Sequence, residues 1–346
     1  MALSCCCDRT CPASRPTRHA RFLSAGATGL VSLFLAGCAG EQSALAPAGR
    51  GAAQILNLFH WMAGGAAVIW LAVVVLAIYA DRSSAGQHSR RTALFIIGGG
   101  VAVPTLVLFV LLVYGLSMLP NLVAPAPEGS QRIHVTGEQF WWRVRYETPS
   151  GKAVELANEI HLPVGESVEF ELESADVVHA FWIPSLGGKI DMVPGRTNRL
   201  HLEPTRTGVF RGVCAEYCGS SHAFMAFTVV VEEREDFDAW LEHQANVAVA
   251  PTNDRALRGQ TIFASSGCGA CHAIRGTEAK GVIGPDLTHV GSRRKIGAAA
   301  LANDRDGLLR WIAHTDSVKP GVQMPEFYML PPDDQRELAE YLIGLD

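Results

Sequence analysis

Two long stretches without a charged side chain constrain this chain more than anything else in it. Trp61 to Ala80 is twenty residues and Leu94 to Leu119 is longer still. Twenty residues wound as a helix cover about 30 Å, the thickness of a bilayer core. The second run contains Gly98-Gly99-Gly100 and Pro104, which membrane helices tolerate where neighbours satisfy the freed backbone groups. The pair predicts a transmembrane hairpin, with helices over about 59–80 and 94–119. Between the runs, Asp81 to Arg91 carries three arginines against one aspartate. Positive charge stays on the cytoplasmic side, so Cys38 and everything after Leu119 are expected on the outer face.

The N-terminus fits that topology. Arg15, Arg18 and Arg21 precede an apolar stretch, Phe22 to Ala36, that ends in Leu35-Ala36-Gly37-Cys38. Positive start, short apolar run and small-residue end make a secretory signal over 1–37. With cysteine directly after Leu-Ala-Gly it resembles a bacterial lipoprotein signal, which implies cleavage before Cys38 and lipid on it. The plainer reading is an ordinary signal in which Cys38 is incidental. The segment 38–120 is then the N-terminal tether and hairpin. Hydrophobic residues make up 48% of the chain and charged ones 18%, the apolar excess lying before residue 120. A formal net charge of −5 leaves no basic field for nucleic acid.

Nine cysteines invite a disulfide framework, but they fall into three groups. Cys5, Cys6, Cys7, Cys11 and Cys38 lie in or beside the signal; Cys214 and Cys218 form a second group, Cys268 and Cys271 a third. The second belongs to Val213-Cys214-Ala215-Glu216-Tyr217-Cys218-Gly219-Ser220-Ser221-His222-Ala223-Phe224-Met225. Two thiols, an imidazole and a thioether in one short loop suit copper far better than magnesium or calcium, and copper so held transfers electrons. A zinc site and a Cys214–Cys218 disulfide are the bland alternatives, and neither explains Met225. Asp176 to Pro184 supplies a second imidazole, His179, between apolar residues.

That run, together with Leu186 to Asp191, Pro194 to Asn198 and the Cys214–Met225 loop, closely resembles subunit II of the haem-copper cytochrome c oxidases. The resemblance implies a binuclear CuA centre. Cys214 and Cys218 would bridge two coppers, His179 and His222 each cap one, and Met225 and the Glu216 carbonyl lie axial. It also implies a magnesium ion, shared with subunit I, at the Glu216 carboxylate. Family members often carry a glutamate in the first membrane helix; none lies between Trp61 and Ala80.

Pro120, Pro125 and Pro127 mark a linker into the outer region. Extended segments are expected at Arg132–Thr136, Trp141–Tyr146, Val154–His161, Ser167–Leu172, Asn198–Leu202, Val209–Val213 and Ala226–Glu232. In one of them Val168, Phe170 and Leu172 alternate with glutamates, the period of a half-buried strand. Many short strands with glycine and proline turns predict a β-sandwich or barrel over 121–243. The resemblance narrows this to a cupredoxin-like Greek-key domain. Relatives take electrons from docked cytochrome c at an aromatic cluster after Gly-x-Gln, tryptophan first. Here Phe140 holds that position and Trp141 and Trp142 follow as candidates, with core packing the alternative for each. Phe237, Trp240 and Leu241 predict a short amphipathic helix over Asp236–His243, and 244–254 reads as a small-residue linker.

Cys268-Gly269-Ala270-Cys271-His272 is a c-type haem attachment sequence. Its thiols can form thioethers while His272 ligates iron; the competing thioredoxin-like reading lacks a βαβ context. Gly259 and Phe263 before it, Gly284-Pro285-Asp286-Leu287 after it, and Lys319-Pro320-Gly321 with Met324-Pro325 resemble class I cytochromes c. Met324 is the expected second ligand, with Met329 its rival, and a Met/His pair makes an electron carrier. His289 and His314 are expected to hydrogen-bond locally. Residues 255–346 thus read as an all-α cytochrome c domain.

Taken together these resemblances imply a multidomain electron-input subunit of a haem-copper cytochrome c oxidase in a bacterial inner membrane, with both redox domains on the periplasmic face. An external donor, cytochrome c or quinol-cytochrome c reductase, would reduce haem c, the electron would cross to CuA and then to a haem of subunit I. Oxygen reduction and coupled proton translocation would occur there, with subunit III a further partner. The alternatives are the CuA subunit of a nitric oxide reductase and a membrane-tethered carrier without an oxidase partner.

Overall fold

The structure is a computed structural model, and it describes residues 40–82, 90–148, 151 and 153–346. The signal segment 1–37, Cys38 and most of the Asp81–Arg91 loop lie outside the described residues.

Two apolar helical arms come first. Helix α1 spans Arg50–Arg82, and the second arm is built from α2 (Arg90–Ile97), a π-helical turn (Gly98–Ala102) and α3 (Val103–Val123). Pro104 has no N–H for the Gly100 carbonyl, and three glycines let the backbone widen into the π turn there. Both arms are long and apolar enough to cross a membrane, and their most apolar stretches are not covered by the rest of the chain. Asn57 Nδ2 donates across the pair to Tyr114 Oη at 3.2 Å. Each helix outruns its uncharged stretch: α1 begins at Arg50, and Pro120, expected to open the linker, lies inside α3. Only one backbone bond is lost by a proline so close to a helix end.

The next region is two five-stranded sheets packed face to face. Strands β1 (Gln131–Glu138), β2 (Trp141–Glu147), β3 (Ala153–Ala157), β5 (Val168–Ser174) and β8 (Asn198–Leu202) form one in the order β3-β2-β1-β5-β8. Strands β4 (Glu159–Pro163), β6 (His179–Trp182), β7 (Ile190–Met192), β9 (Gly208–Cys214) and β10 (Ala226–Glu232) form the other as β4-β10-β9-β6-β7. Within them β1 and β5 run parallel, as do β4 and β10; the remaining neighbours are antiparallel. Ile133, Val135, Trp142, Phe170 and Leu172 from the first sheet meet Ile160, Leu162, Phe181, Phe227 and Val229 from the second in one buried core. Helix α4 (Arg234–Gln244) closes one end, with Phe237 and Leu241 in that core and Trp240 packed against it.

The expected strand Val154–His161 is in fact two strands, one in each sheet. Asn158 sits between them in the left-handed region, φ 61°, a conformation asparagine tolerates better than most residues. Its Oδ1 accepts from Trp142 N at 2.8 Å and its own N donates to Trp142 O at 3.0 Å. Strands β6 and β7 were not expected from the sequence; at four and three residues they are too short to show a period.

The last region is helical around a separate buried core. Helix α5 (Asp254–Ser265) is capped by Asn253, whose Oδ1 accepts from Ala256 N. It crosses the closing helix α8 (Pro332–Ile343), and α6 (Arg305–Ala313) and α7 (Thr315–Val318) lie between them in sequence. At the crossing a Cβ on Gly259 would lie 2.0 Å from the Glu337 carbonyl oxygen, so only glycine allows this approach. Phe263 meets Tyr341 edge-on beside it, ring centroids 5.9 Å apart.

Candidate functional site

Sheet order brings together residues that are far apart in sequence. Strand β6 lies against β9 with Phe181 opposite Cys214, so His179 at the head of β6 reaches the thiol at the end of β9. Cys214 N donates to the Met225 carbonyl, 2.9 Å, which closes the intervening loop. Inside it, Gly219 has φ 135° and a Cβ there would lie 2.9 Å from the Phe140 ring, a place and a conformation that exclude other residues.

The donor atoms form a compact cluster. Cys214 Sγ lies 3.8 Å from His179 Nδ1 and 3.2 Å from the Glu216 carbonyl oxygen. Cys218 Sγ lies 3.6 Å from His222 Nδ1 and 3.7 Å from Met225 Sδ. The two sulfurs are 3.9 Å apart and both thiols are free and buried. Bonded sulfurs stand at about 2.05 Å, so this is not a disulfide. Among the described residues, His179, Cys214 and Cys218 have ligand atoms mutually within 4.8 Å. His222 and Met225 complete the set on the Cys218 side, and the Glu216 carboxylate is half exposed, 3.8 Å from Lys189 Nζ.

The electrostatics favour deprotonated sulfur. The hydrogen bond from Cys218, against the opposing effect of burial and with help from His179, holds the Cys214 thiol down at about 3, while the same bond pushes Cys218 upward. Metals bind the thiolate, so a soft cation displacing the shared proton is what this pair suits. Thiolate, imidazole, thioether and carbonyl oxygen is a donor set that fits copper.

Two supporting residues carried no role in the sequence reading. Asp176 Oδ1 lies 2.8 Å from His179 Nε2, and Asp176 Oδ2 accepts from Gln139 N at 2.6 Å. A carboxylate on the far nitrogen fixes the imidazole so that Nδ1 faces the sulfurs. Gln139 Nε2 donates to the Cys218 carbonyl at 2.5 Å. The signals in the sequence were Asp176 standing three residues before His179 and Gln139 in the Gly-x-Gln motif. Gly137 makes room for that imidazole: a Cβ there would lie 2.8 Å from its Cδ2.

The two tryptophans part company. Trp142 is fully buried, edge-on to Phe181 and Phe227, with Nε1 toward the Met225 carbonyl at 3.4 Å. A docking partner cannot reach it, which corrects its candidacy as a surface contact. Trp141 is half-buried beneath the Arg143 guanidinium, 4.7 Å from its centroid. Phe140 is 5% exposed.

In the helical region Cys268 opens a single 3-10 turn and Cys271 follows it, both free and half-buried. His272 Nδ1 lies 2.8 Å from the Pro285 carbonyl, which can only accept, so Nδ1 carries the proton and Nε2 keeps its lone pair. Burial lowers the affinity of this imidazole for a second proton, and the carbonyl only partly offsets that. A neutral ring anchored through Nδ1 is the form an iron ligand needs. Gly281 and Gly284 lie tight against the turn, the latter 2.5 Å in virtual Cβ distance from His272 Cε1. Between them Val282 and Ile283 expose apolar side chains suited to a flat macrocycle. Met324 is half-buried, its carbonyl accepting from Thr315 Oγ1 at 2.9 Å, whereas Met329 is 64% exposed. Of the two other histidines, His289 bonds the Asn246 carbonyl and His314 stacks on Tyr328.

Comparison with known proteins gives two family matches. Residues 143–233 match the periplasmic domain of cytochrome c oxidase subunit II, and residues 256–346 match cytochrome c. Cytochrome c oxidase subunit 2 of Alkalihalophilus pseudofirmus is 37% identical over 332 residues, 91% of this chain and 94% of that one. The subunit of the same name in Bacillus subtilis is 31% identical over 223 residues, 62% of each chain. Among solved structures, the periplasmic domain of subunit II of cytochrome oxidase from Bradyrhizobium japonicum is 33% identical, covering 35% of this chain and 96% of that one at a TM-score of 0.33.

Proposed function

The chain belongs to the cytochrome c oxidase subunit 2 family, and on that footing we propose that it is the electron-input subunit of a haem-copper oxidase, taking electrons from an external donor and passing them, by way of haem c and a copper pair, to subunit I. When bound, haem c and the copper centre each supply reversible one-electron transfer. The remaining chemistry belongs to the residues. His179, Cys214, Cys218, His222, Met225 and the Glu216 carbonyl would hold copper; Cys268, Cys271, His272 and Met324 would hold the haem.

The observation that carries this reading is the duplicated donor set at one end of the sandwich. Each sulfur has its own imidazole and its own weak donor: Cys214 has His179 and the Glu216 carbonyl, Cys218 has His222 and Met225. One metal position would leave half of them idle, so the arrangement supports two coppers. Rigid strands β6 and β9 hold the ligands in place between oxidation states, and burial keeps water from the thiolates. The Glu216 carboxylate, half exposed beside Lys189, would hold a magnesium ion at the boundary with subunit I. The arginines of the Asp81–Arg91 segment support an inner-membrane hairpin with both redox domains on the periplasmic side. In the same reading residues 1–37 are a lipoprotein signal, 121–243 the copper domain, 244–254 a linker and 255–346 the cytochrome domain. Subunit III and cytochrome c or quinol-cytochrome c reductase complete the proposed partners, and oxygen reduction coupled to proton translocation is assigned to subunit I.

Metal and haem analysis of the purified full chain tests this. Two coppers with a delocalised mixed-valence electron spin resonance signal and one covalent haem are expected per chain. His179→Ala should abolish that signal and leave haem attachment intact. Zinc, or one copper with localised hyperfine structure, would overturn the copper assignment.

A further inference from the structure

The two redox regions touch through the segment that leads into Met324. Lys319 is 1% exposed, although lysine is among the residues least often buried. Its Nζ donates to the Phe140 carbonyl at 2.5 Å, in the turn between β1 and β2, and to the Gly297 carbonyl at 3.1 Å. One acceptor belongs to the copper domain and the other to the cytochrome domain, so the side chain bridges the two. The next residue repeats the pattern: the Pro320 carbonyl accepts from Ser221 Oγ at 2.6 Å and from Ser220 Oγ at 3.0 Å. Both serines lie in the loop between Cys218 and His222. Gly321, at φ 79°, completes the contact, since a Cβ there would stand 2.7 Å from Ser220 Oγ. This segment, with Gly219 from below, is what leaves the Phe140 ring enclosed.

We propose that Lys319 is a positioning residue that latches the segment before Met324 onto the copper loop, so that the haem and copper ligand loops of one chain stay docked, with the Pro320–Ser221 hydrogen bond as the crossing between them. The proposal rests on the functional reading above for what the two loops carry. Fixed contact replaces a diffusional encounter, and a bonded crossing replaces a jump through space. Burial pushes the Lys319 amine down to about 7, and even the neutral amine keeps two N–H groups for its two carbonyls. Hydrogen bonds to buried carbonyls, unlike surface ion pairs, are little screened by salt. Further bonds join the two regions: Arg294 N to Glu159 Oε2 at 2.8 Å, Arg143 Nη2 to the Val282 carbonyl at 2.9 Å, and Ala226 N to the Ala298 carbonyl at 3.3 Å.

The test uses the full membrane-embedded chain, Lys319→Met and Ser221→Ala. Copper and haem content and the haem potential are measured first, then amide hydrogen exchange of peptides covering 217–224 and 315–323, then the haem-to-copper rate after photochemical injection of one electron. Loss of the latch should speed exchange in both peptides and slow the internal rate, each by about tenfold or more, with cofactor content and potential unchanged. Ser221→Ala should slow the rate by a smaller factor, roughly threefold, and the rate in the unaltered chain should not respond to ionic strength. Unchanged exchange in 217–224 in Lys319→Met would overturn the proposal, as would an unchanged internal rate in both variants. So would a shifted haem potential in Lys319→Met beside a normal Ser221→Ala, because Lys319 would then serve only its own domain. Missing copper or haem in the unaltered chain would instead defeat the functional reading, while hydrogen exchange would still judge the latch.

Discussion

Candidate ligands announce themselves by type and spacing, whereas the residues that aim them do not. The clustering of Cys214, Cys218, His222 and Met225 was legible because one short loop carries all four. His179 was legible as an isolated imidazole, and its partnership with Cys214 followed only from the family resemblance. Asp176 could not be read as its orienting carboxylate, because that role depends on a bend that returns Oδ1 to within 2.8 Å of Nε2. Asp176→Asn should therefore weaken copper affinity by about 10–100-fold, measured by competition with a chelator while the fold is followed by circular dichroism. Wild-type affinity in that variant would make Asp176 a bystander. His161 gives a second prediction at this scale. Its ring lies flat on Trp240, centroids 3.9 Å apart, between Glu232 at 2.8 Å and Glu159 at 3.3 Å. Burial opposes its charge, but the hydrogen bonds and charges of the two carboxylates outweigh burial and hold its pKa above the ordinary value. A raised folded pKa means that charging stabilises the fold fully below about pH 6.5. The contribution fades as pH climbs through the higher folded value. Thermal unfolding followed by tryptophan fluorescence should fall in midpoint across that window, and His161→Phe should flatten the dependence.

Among the elements, long periodic segments were readable and short ones were not. The alternation of Val168, Phe170 and Leu172 gave β5, and the spacing of Phe237, Trp240 and Leu241 gave α4 to within two residues at its start. Strands β6 and β7 escaped because three or four residues carry no period, yet β6 is what presents His179. The division of Val154–His161 escaped because alternation continues on both sides of Asn158, while the change of sheet is decided by one backbone conformation. Asn158 is thus the clip between sheets, holding Trp142 of one and, through its carbonyl, Thr228 N of the other at 2.9 Å. Asn158→Ala places alanine in the left-handed region and leaves Trp142 N without an acceptor, which should cost about 2–4 kcal/mol. Asn158→Gly keeps the conformation but not the bond and should cost roughly 1–2 kcal/mol less. Denaturant titration of the three proteins checks the order; equal stability of alanine and glycine variants would mean that the backbone conformation is not what matters.

For the molecule as a whole, the hairpin and the copper domain are not separable at Pro120, although the sequence offered no reason to join them. The stretch before α1 is a strut on the sandwich. Ala48 N donates to the Ser185 carbonyl at 2.7 Å and Thr205 N returns a bond to the Ala48 carbonyl at 2.7 Å. Arg50 N donates to the Glu203 carbonyl, Ala52 N to the Leu186 carbonyl, and Arg211 N to the Glu41 carbonyl. Gly49 lies so close that a Cβ would stand 2.3 Å from the Leu186 carbonyl oxygen, and Ala48, Ser185 and Leu186 are all fully buried. From this footing α1 continues unbroken for 33 residues, a rod of about 50 Å. The far arm meets it at the same level, Leu122 Cδ2 lying 3.6 Å from the virtual Cβ of Gly51. The Cys214–Met225 loop is therefore held in a set place relative to α1 by the sandwich on which both are anchored. A soluble fragment beginning at Asn121 should fold but leave this footing bare. Losing about five backbone hydrogen bonds at roughly 0.5–1 kcal/mol net each should cost it about 2–5 kcal/mol. Adding residues 41–52 in trans as a peptide should restore part of that loss, seen as a concentration-dependent rise in melting temperature. No response to the peptide would show that the strut is held by the membrane arm and not by its own contacts with Leu186 and Glu203.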